Sequence, residues 1–392
     1  MDEKAIREEA IRRYENGESP KNIYEAINRS KSWFYKWLKR YQNEEADWAA
    51  DRSKRPHNIP KRIGRSMEKA VIETRKHLMV RKYAQIGALN IRWVLEEKGI
   101  KPPSLSTINR VIKRNNLVYK KQKKYQPKGT DYPALPITRS NQVHQLDILG
   151  PRYLKTDGRF YSANIIDAFD RRTSINPSRG KTRKDITNAL IRCWRTLGLP
   201  MYLQMDNILP TRGSNRYPHS FGLVVRLCLK LGVQPVFIPL NEPWRNGIIE
   251  RFQNVFDKMF FRSQLFDSFD HLIKESKVFE SFHNHNHRYS TLHGKTPLEI
   301  YSGDGDLLPE NFRIPVKLSI TPGYVHLIRF IRSDRILDVF GEKFLLPMEY
   351  EYAWATIDTE KEILNVYQDA KVIKTYKYRI PKTSLDILNL DM

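Results

Sequence analysis

The stretch PWRNGIIERFQNVF, residues 243–256, decides how the rest of the chain is read. Ile248, Ile249, Phe252, Val255 and Phe256 recur at helical spacing and form one apolar stripe. Asn246, Glu250, Gln253, Asn254 and Asp257 fall on the opposite face. An amphipathic helix is expected, opening at Asn246-Gly247 and carrying Glu250 in its first turns.

Two acids upstream share this unusual placement. Asp147 sits inside an apolar strand, VHQLDIL (143–149), and Asp206 closes another, YLQMDN (202–207). The segments between and around them read as strands (FYSANIID, SINPS, QPVFIPL) and helices (DITNALIRCWRTLG, HSFGLVVRLCLKLGV). The order βββ-α-β-α-β-α predicts an α/β domain with a mixed central sheet over residues 140–302. A further helix, SFDHLIKESKVFESFHNHNH, follows. A carboxylate inside an apolar strand is costly to bury without a cation or partner. Any one of the three could be ordinary, an Asp capping a turn or a Glu complementing a helix dipole. As a set, in this order and on these elements, they read as hard oxygen ligands. Mg²⁺ takes a few carboxylates and completes its octahedron with water and phosphate oxygens. Two such ions about 3.5–4 Å apart can serve the attacking and leaving oxygens of an in-line displacement. Asp147 would bridge both, with Asp206 and Glu250 on one each. Asp167 and Asp170 read as turn residues, Asp167 also as a supporting group behind the site. His283, His285 and His287 read as a polar helix end or a DNA-backbone contact rather than metal ligands.

The flanks are of another kind. Residues 1–45 read as three short helices: KAIREEAIRRYENG ended by Gly17, PKNIYEAIN opened by Ser19-Pro20, and KSWFYKWLKRYQ. Two helices joined by a tight turn, the second basic and aromatic, predict a helix-turn-helix. Lys31, Ser32, Tyr35 and Lys36 would face DNA, with Trp33, Phe34, Trp37 and Leu38 on or beside the packing face. Residues 46–65 form a basic, proline-containing linker. Residues 66–125 predict a second helix-turn-helix of winged type. Its last helix carries Arg110, Lys113 and Arg114, Ser104 or Ser106 can cap that helix, and VYKKQKK would be the wing. Residues 315–380 alternate in five or six short β runs and predict a small C-terminal β barrel.

The formal net charge is +24. Residues 51–130 hold 22 Lys and Arg against 5 Asp and Glu, net +17, whereas residues 1–50 balance at 10 and 10. A basic block this concentrated points to a polyanion, because each neutralised phosphate releases counterions. No apolar run reaches the roughly 18 residues of a membrane span, and MDEKAIREEA is unlike a signal peptide. Cys193 and Cys228, the only cysteines, are isolated in helix-like contexts and make neither a zinc finger nor a disulfide framework. A reducing, cytoplasmic and nucleoid-associated setting is expected.

The motifs QLDILGP around Asp147, QMDN around Asp206 and PWRNGIIERFQ around Glu250 resemble the integrase core of insertion-sequence transposases and retroviral integrases, in the ribonuclease-H-like superfamily with a D, D, E triad. HNHRYSTLHGKTPLEIY resembles the family's tail, with Arg288, Leu292, Gly294, Thr296 and Pro297 at matching places. The flanking modules are similar to those of bacterial transposases. The resemblance implies a DNA transposase that binds element ends as a dimer or higher oligomer. It would use two Mg²⁺, with Mn²⁺ as a substitute, to hydrolyse a phosphodiester at the terminal repeat and join the freed 3′-hydroxyl to target DNA. Asp147, Asp206 and Glu250 would be catalytic and metal-binding, and Arg245 and Asn246 would touch DNA beside them. The alternatives are a nuclease of the same fold and a catalytically idle DNA-binding regulator. The chain departs from the pattern after Asp206: Asn207-Ile208 replaces the common Asn-Gly, and 43 residues separate Asp206 from Glu250, longer than usual, which implies an insertion at 208–221.

Overall fold

The structure, a computed structural model, describes residues 2–43, 46–52, 63–118, 132–213, 218–303 and 305–381. It separates into two compact units, residues 1–64 and 65–392.

The first unit is a three-helix bundle: α1 (Glu3–Glu15), α2 (Pro20–Ala26) and α3 (Lys31–Gln42). Each helix is opened by a short polar side chain that accepts from an early backbone N–H: Asp2, Ser19 and Ser30. Ala10, Ile11, Ile23, Phe34 and Leu38 close the core. Arg7 is buried with its guanidinium 3.9 Å from the Trp37 ring, and it donates to the Ala49 carbonyl at 2.7 Å, tying the turn after α3 to α1. Lys31, Ser32, Tyr35 and Lys36 are all exposed on α3, as the helical spacing predicts.

The second unit begins with α4 (Arg65–Val80), α5 (Ala88–Glu97) and α6 (Leu105–Arg114), packed on one another through Val71, Leu78, Ile91, Leu95, Ile108 and Val111. Ser104 is the cap of α6. Residues 119–131, most of the expected wing, and 53–62, most of the expected linker, lie outside the described residues. The three helices are docked on the α/β region. Tyr83 inserts among Phe260, Phe279 and Phe282, Lys82 pairs with Glu275 at 2.7 Å, and Arg288 pairs with Glu97. Gly294, at φ +87°, passes so close to Trp93 that a Cβ there would lie 2.6 Å from the indole. The tail motif therefore serves as the seat for the helical unit.

The α/β region runs β1 (Val143–Tyr153), β2 (Arg159–Asp167), β3 (Thr173–Ser178), α7 (Arg183–Thr196), β4 (Tyr202–Met205), α8 (Leu209–Arg212), α9 (Leu223–Lys230), β5 (Gln234–Phe237), α10 (Gly247–Val255), α11 (Phe269–Asn286) and α12 (Pro297–Ile300). β1, β2 and β3 are antiparallel neighbours, and β1, β4 and β5 are parallel, so the sheet is mixed. Alternation along β2 sorts its two faces. Ala163 and Ile165 join the core under α7 and α9, while Phe160 and Ile166 join the aromatic core under α10 and α11.

The C-terminal strands are β6 (Tyr324–Ile331), β7 (Ile336–Val339), β8 (Glu342–Leu345), β9 (Glu351–Asp358), β10 (Ile363–Gln368) and β11 (Lys371–Lys377). They do not form the expected barrel. β6 pairs in parallel with β5, and the order β11-β10-β9-β6-β5-β4-β1-β2-β3 makes one nine-stranded sheet, with β7–β8 a separate ribbon. Phe237 shares a core with Val325, Leu327, Ala355, Val366 and Tyr378, so these strands complete the α/β core. A chain cut to residues 65–314 is expected to be insoluble or to unfold without a cooperative transition. Soluble, cooperatively melting protein would instead mark residues 315–381 as a separable module.

Candidate active site

Asp147 lies at the middle of β1, opposite Asn164 of β2. Neighbouring Leu146 belongs to the core under α7, so alternation turns Asp147 toward α10. The carboxylate is held from two sides: Ile148 N–H donates to Oδ1 at 2.8 Å and Gln253 Nε2 to Oδ2 at 3.3 Å. Gln253 is itself fixed, since its Oε1 accepts from Asn164 Nδ2 at 2.8 Å, and Asn164 Oδ1 accepts from the Ser162 hydroxyl at 2.6 Å. A chain of buried polar groups thus runs from β2 through α10 to Asp147. Burial raises the Asp147 pKa, against the pull of these two donors.

Asp206 follows directly on β4. Burial and, next, the charge of Asp147 push its pKa up to about 6, while the Ile208 N–H and the ammonium of Lys181 pull the other way. Glu250, on the first turn of α10, is raised by burial and then by Asp147. Asp147 is therefore the member whose charge reaches both others. Among the described residues, no three His, Cys, Asp or Glu side chains are drawn into a closed metal cluster.

The start of α10 is set by Asn246, which is 4% exposed. Its Nδ2 donates to the Leu146 carbonyl at 3.0 Å, its Oδ1 accepts from Gln204 Nε2 at 3.1 Å, and Ile249 N–H donates to Gln145 Oε1 at 3.0 Å. The Asn246 amide, the DNA contact expected from the sequence, is used within the protein here, joining α10 to β1 and β4. Arg245 also has partners within the protein. Its guanidinium pairs with Glu242 at 2.9 Å, donates to the Tyr352 hydroxyl at 2.7 Å and lies 4.1 Å from the Tyr132 ring centroid. Trp244, by contrast, is 47% exposed.

Other candidates resolve by geometry. Asp167 pairs in register with His144, three residues before Asp147 at the N-terminal end of β1. Its carboxylate accepts from the Asn141, Phe169 and Asp170 N–H groups, so it builds the turn after β2 and does not support the site. Asp170 forms a buried pair with Arg172 at 2.9 Å. His283 and His287 are buried and stacked 5.0 Å apart, with burial pushing their pKa values down to about 3 and 4, so both are neutral core groups. On α6, Arg110 and Lys113 are exposed, whereas Arg114 is held by Glu68 at 2.6 Å. The insertion after Asp206 is a pinched loop: α8 is followed by Gly213 at φ +110°, where a Cβ would meet the Gly222 nitrogen at 2.7 Å. His219 at its far end stacks on Tyr378 at 4.1 Å and pairs with Glu342 at 2.8 Å. Residues 214–217 lie outside the described residues.

Sequence reasoning missed Ser162 and Asn164, although both are polar on one face of an otherwise apolar strand, and Arg329, a cation inside the apolar run YVHLIRFI.

Residues 1–47 match the family described as Homeodomain-like domain, and residues 231–297 match the one described as Integrase core domain. Solved structures similar to this chain include the HTLV-2 integrase catalytic core domain in complex with magnesium, in its dimeric form. It is 17% identical and covers 42% of this chain and 99% of its own, at a TM-score of 0.32. A cryoEM structure of the simian T-cell lymphotropic virus intasome in complex with PP2A regulatory subunit B56 gamma is 14% identical and covers 80% of this chain and 99% of its own, at a TM-score of 0.38. The chain thus carries a homeodomain-like helical domain ahead of an integrase core domain. No helix among the described residues is long and apolar enough to cross a membrane.

In the folded chain Asp206 ionises near pH 6, whereas an unfolded Asp ionises at about 4. Between those values the folded protein keeps a proton that the unfolded chain has released, so stability falls as pH rises through this window. Asp206→Asn removes that cost. Without divalent metal, the variant's melting temperature is expected above wild type at pH 7, with the gap closing at about pH 4 or below. An equal gap at both pH values, or a destabilised variant at pH 7, would contradict the assignment.

Proposed function

We propose that this chain cuts and joins DNA ends with Asp147, Asp206 and Glu250 holding magnesium. The observation that carries the reading is that one buried amide, Asn246, ties the start of the helix bearing Glu250 to β1, which bears Asp147, and to β4, which ends beside Asp206, and the charge of Asp147 raises both other acids after burial does. Three hard oxygen donors whose ionised forms oppose one another suit a small divalent cation, which relieves burial and mutual repulsion together. Bound there, magnesium would stabilise charge on the transferring phosphate and make the attacking oxygen a better nucleophile.

The chain's own groups do the placing. Gln253 and the Ile148 N–H hold both oxygens of Asp147, and Asn246 fixes the first turn of α10 that presents Glu250. Lys181, whose charge acts on Asp206, is exposed at the mouth of α7 and is suited to meet the DNA backbone. In the first step a water oxygen bonds to phosphorus at the element end, the P–O3′ bond breaks, and the 3′-hydroxyl is freed. In the second, that 3′-oxygen attacks a target phosphodiester and displaces its 3′-oxygen. Lys31, Ser32, Tyr35 and Lys36 on α3, with Arg110 and Lys113 on α6, would hold the terminal repeat. Arg114, already paired with Glu68, is the weaker candidate on that helix. Two ends held together call for a dimer or larger assembly on DNA.

The test incubates purified protein with Mg²⁺ or Mn²⁺ and DNA carrying the repeats that flank its gene. Wild type is expected to nick at the 3′ ends and give joined products. Asp147→Ala should bind the same DNA and lose at least about 100-fold in cutting, the scale on which removal of a transition-state charge stabiliser is felt. Equal cutting by the variant, or none by wild type, overturns the catalytic reading.

A further inference from the structure

Arg329, in β6, is 4% exposed and carries a cation into the sheet. Its Nη2 donates to Asn207 Oδ1 at 2.6 Å, its Nη1 to the carbonyls of Ile238 and Ile328 at 3.0 and 2.9 Å, and its Nε to the Asp338 carbonyl at 3.1 Å. Asn207 Nδ2 donates in turn to the Ile238 carbonyl at 2.6 Å. None of these acceptors is a carboxylate, so four of the five N–H donors of a buried guanidinium are directed at neutral oxygens.

Two of the targets, Asn207 and Ile238, have one thing in common. Asn207 follows Asp206 directly, and Ile238 opens the segment that leads from β5 to Glu250. The β5–β6 pairing ends at Phe237↔Leu327, so Arg329 lies beyond it and pairing does not depend on its side chain. A planar fork can reach two loop ends at once, which the point charge of a lysine cannot.

We propose that Arg329 is a positioning residue for the catalytic carboxylates. It clamps the ends of β4 and β5 through Asn207 and Ile238, and so makes the C-terminal strands part of the active site. The inference rests on the reading of Asp147, Asp206 and Glu250 as the metal-holding set. Arg329 touches neither metal nor DNA. Its effect passes through the backbone that carries Asp206.

The full chain would be compared with Arg329→Met, Arg329→Lys and Asn207→Ala. Calorimetric titration with Mn²⁺ in the absence of DNA reads metal affinity, a gel shift without metal reads DNA binding, and thermal unfolding reads folding. All three variants are expected to bind DNA like wild type and to lose metal affinity by roughly 10–100-fold, the cost typical of removing a group that orients a ligand. The Mg²⁺ concentration for half-maximal nicking should rise in parallel, and Arg329→Met with Asn207→Ala should lose less than the sum of the two single losses, because the bond between the two side chains is already gone in either one. If Arg329→Met does not fold, Asn207→Ala decides. Wild-type metal affinity in a folded variant overturns the proposal. Should wild type and Asp206→Asn bind Mn²⁺ alike, the carboxylate reading itself fails, and the positioning role with it.

Discussion

The active site depends on what the side chain of Asn246 does. One amide spans from the turn before α10 to the carbonyl of Leu146, beside Asp147, and to Gln204, two residues before Asp206. It references the helix bearing Glu250 to both strands bearing the aspartates. The site joins parts of the chain that are far apart in sequence, and only buried hydrogen bonds of this kind fix their relative depth. In a low-dielectric setting such a bond is strong when made and costly when broken. The remaining polar groups, from Ser162 through Asn164 and Gln253 to Asp147, extend the same lattice.

What this lattice holds is electrostatically unfavourable by itself. Desolvation raises all three acids, and the charge of Asp147 raises two of them further. The fold around them must absorb that cost, and the breadth of the core shows how. Nine strands, rather than the five of β1 to β5, share one continuous sheet. The helical unit of α4 to α6 is docked through Tyr83 and Trp93 instead of hanging on a linker.

Much of this was legible in the sequence, and the failures have a common origin. The apolar stripe of residues 243–256 and the alternation around Asp147 are local patterns, and both elements formed as read. The two faces of α3 followed directly from helical period. By contrast, the C-terminal alternation is the same whether strands close on themselves or add to an existing edge, because alternation reports a face and not a partner. Besides β9, β6 pairs with β5, on the far side of α10 and α11 in sequence. The internal partners of Asn246 and Arg245 were not legible for another reason. A polar residue beside a glycine near a helix start reads as surface, and only tertiary structure shows that the amide is buried and that Glu242 already neutralises the arginine. Arg329 did leave a trace, a charge in the middle of YVHLIRFI, which is the same anomaly that singled out Asp147.

The central claim is that Asp147 and Asp206 are electrostatic neighbours in one site. Carboxyl-carbon NMR titration of Asp206, in metal-free protein with and without Asp147→Asn, tests it most directly. The account predicts an Asp206 pKa of about 6 in wild type and a lower value in the variant, still above the usual carboxylate range because burial remains. An Asp206 pKa that does not move when Asp147 loses its charge would contradict it.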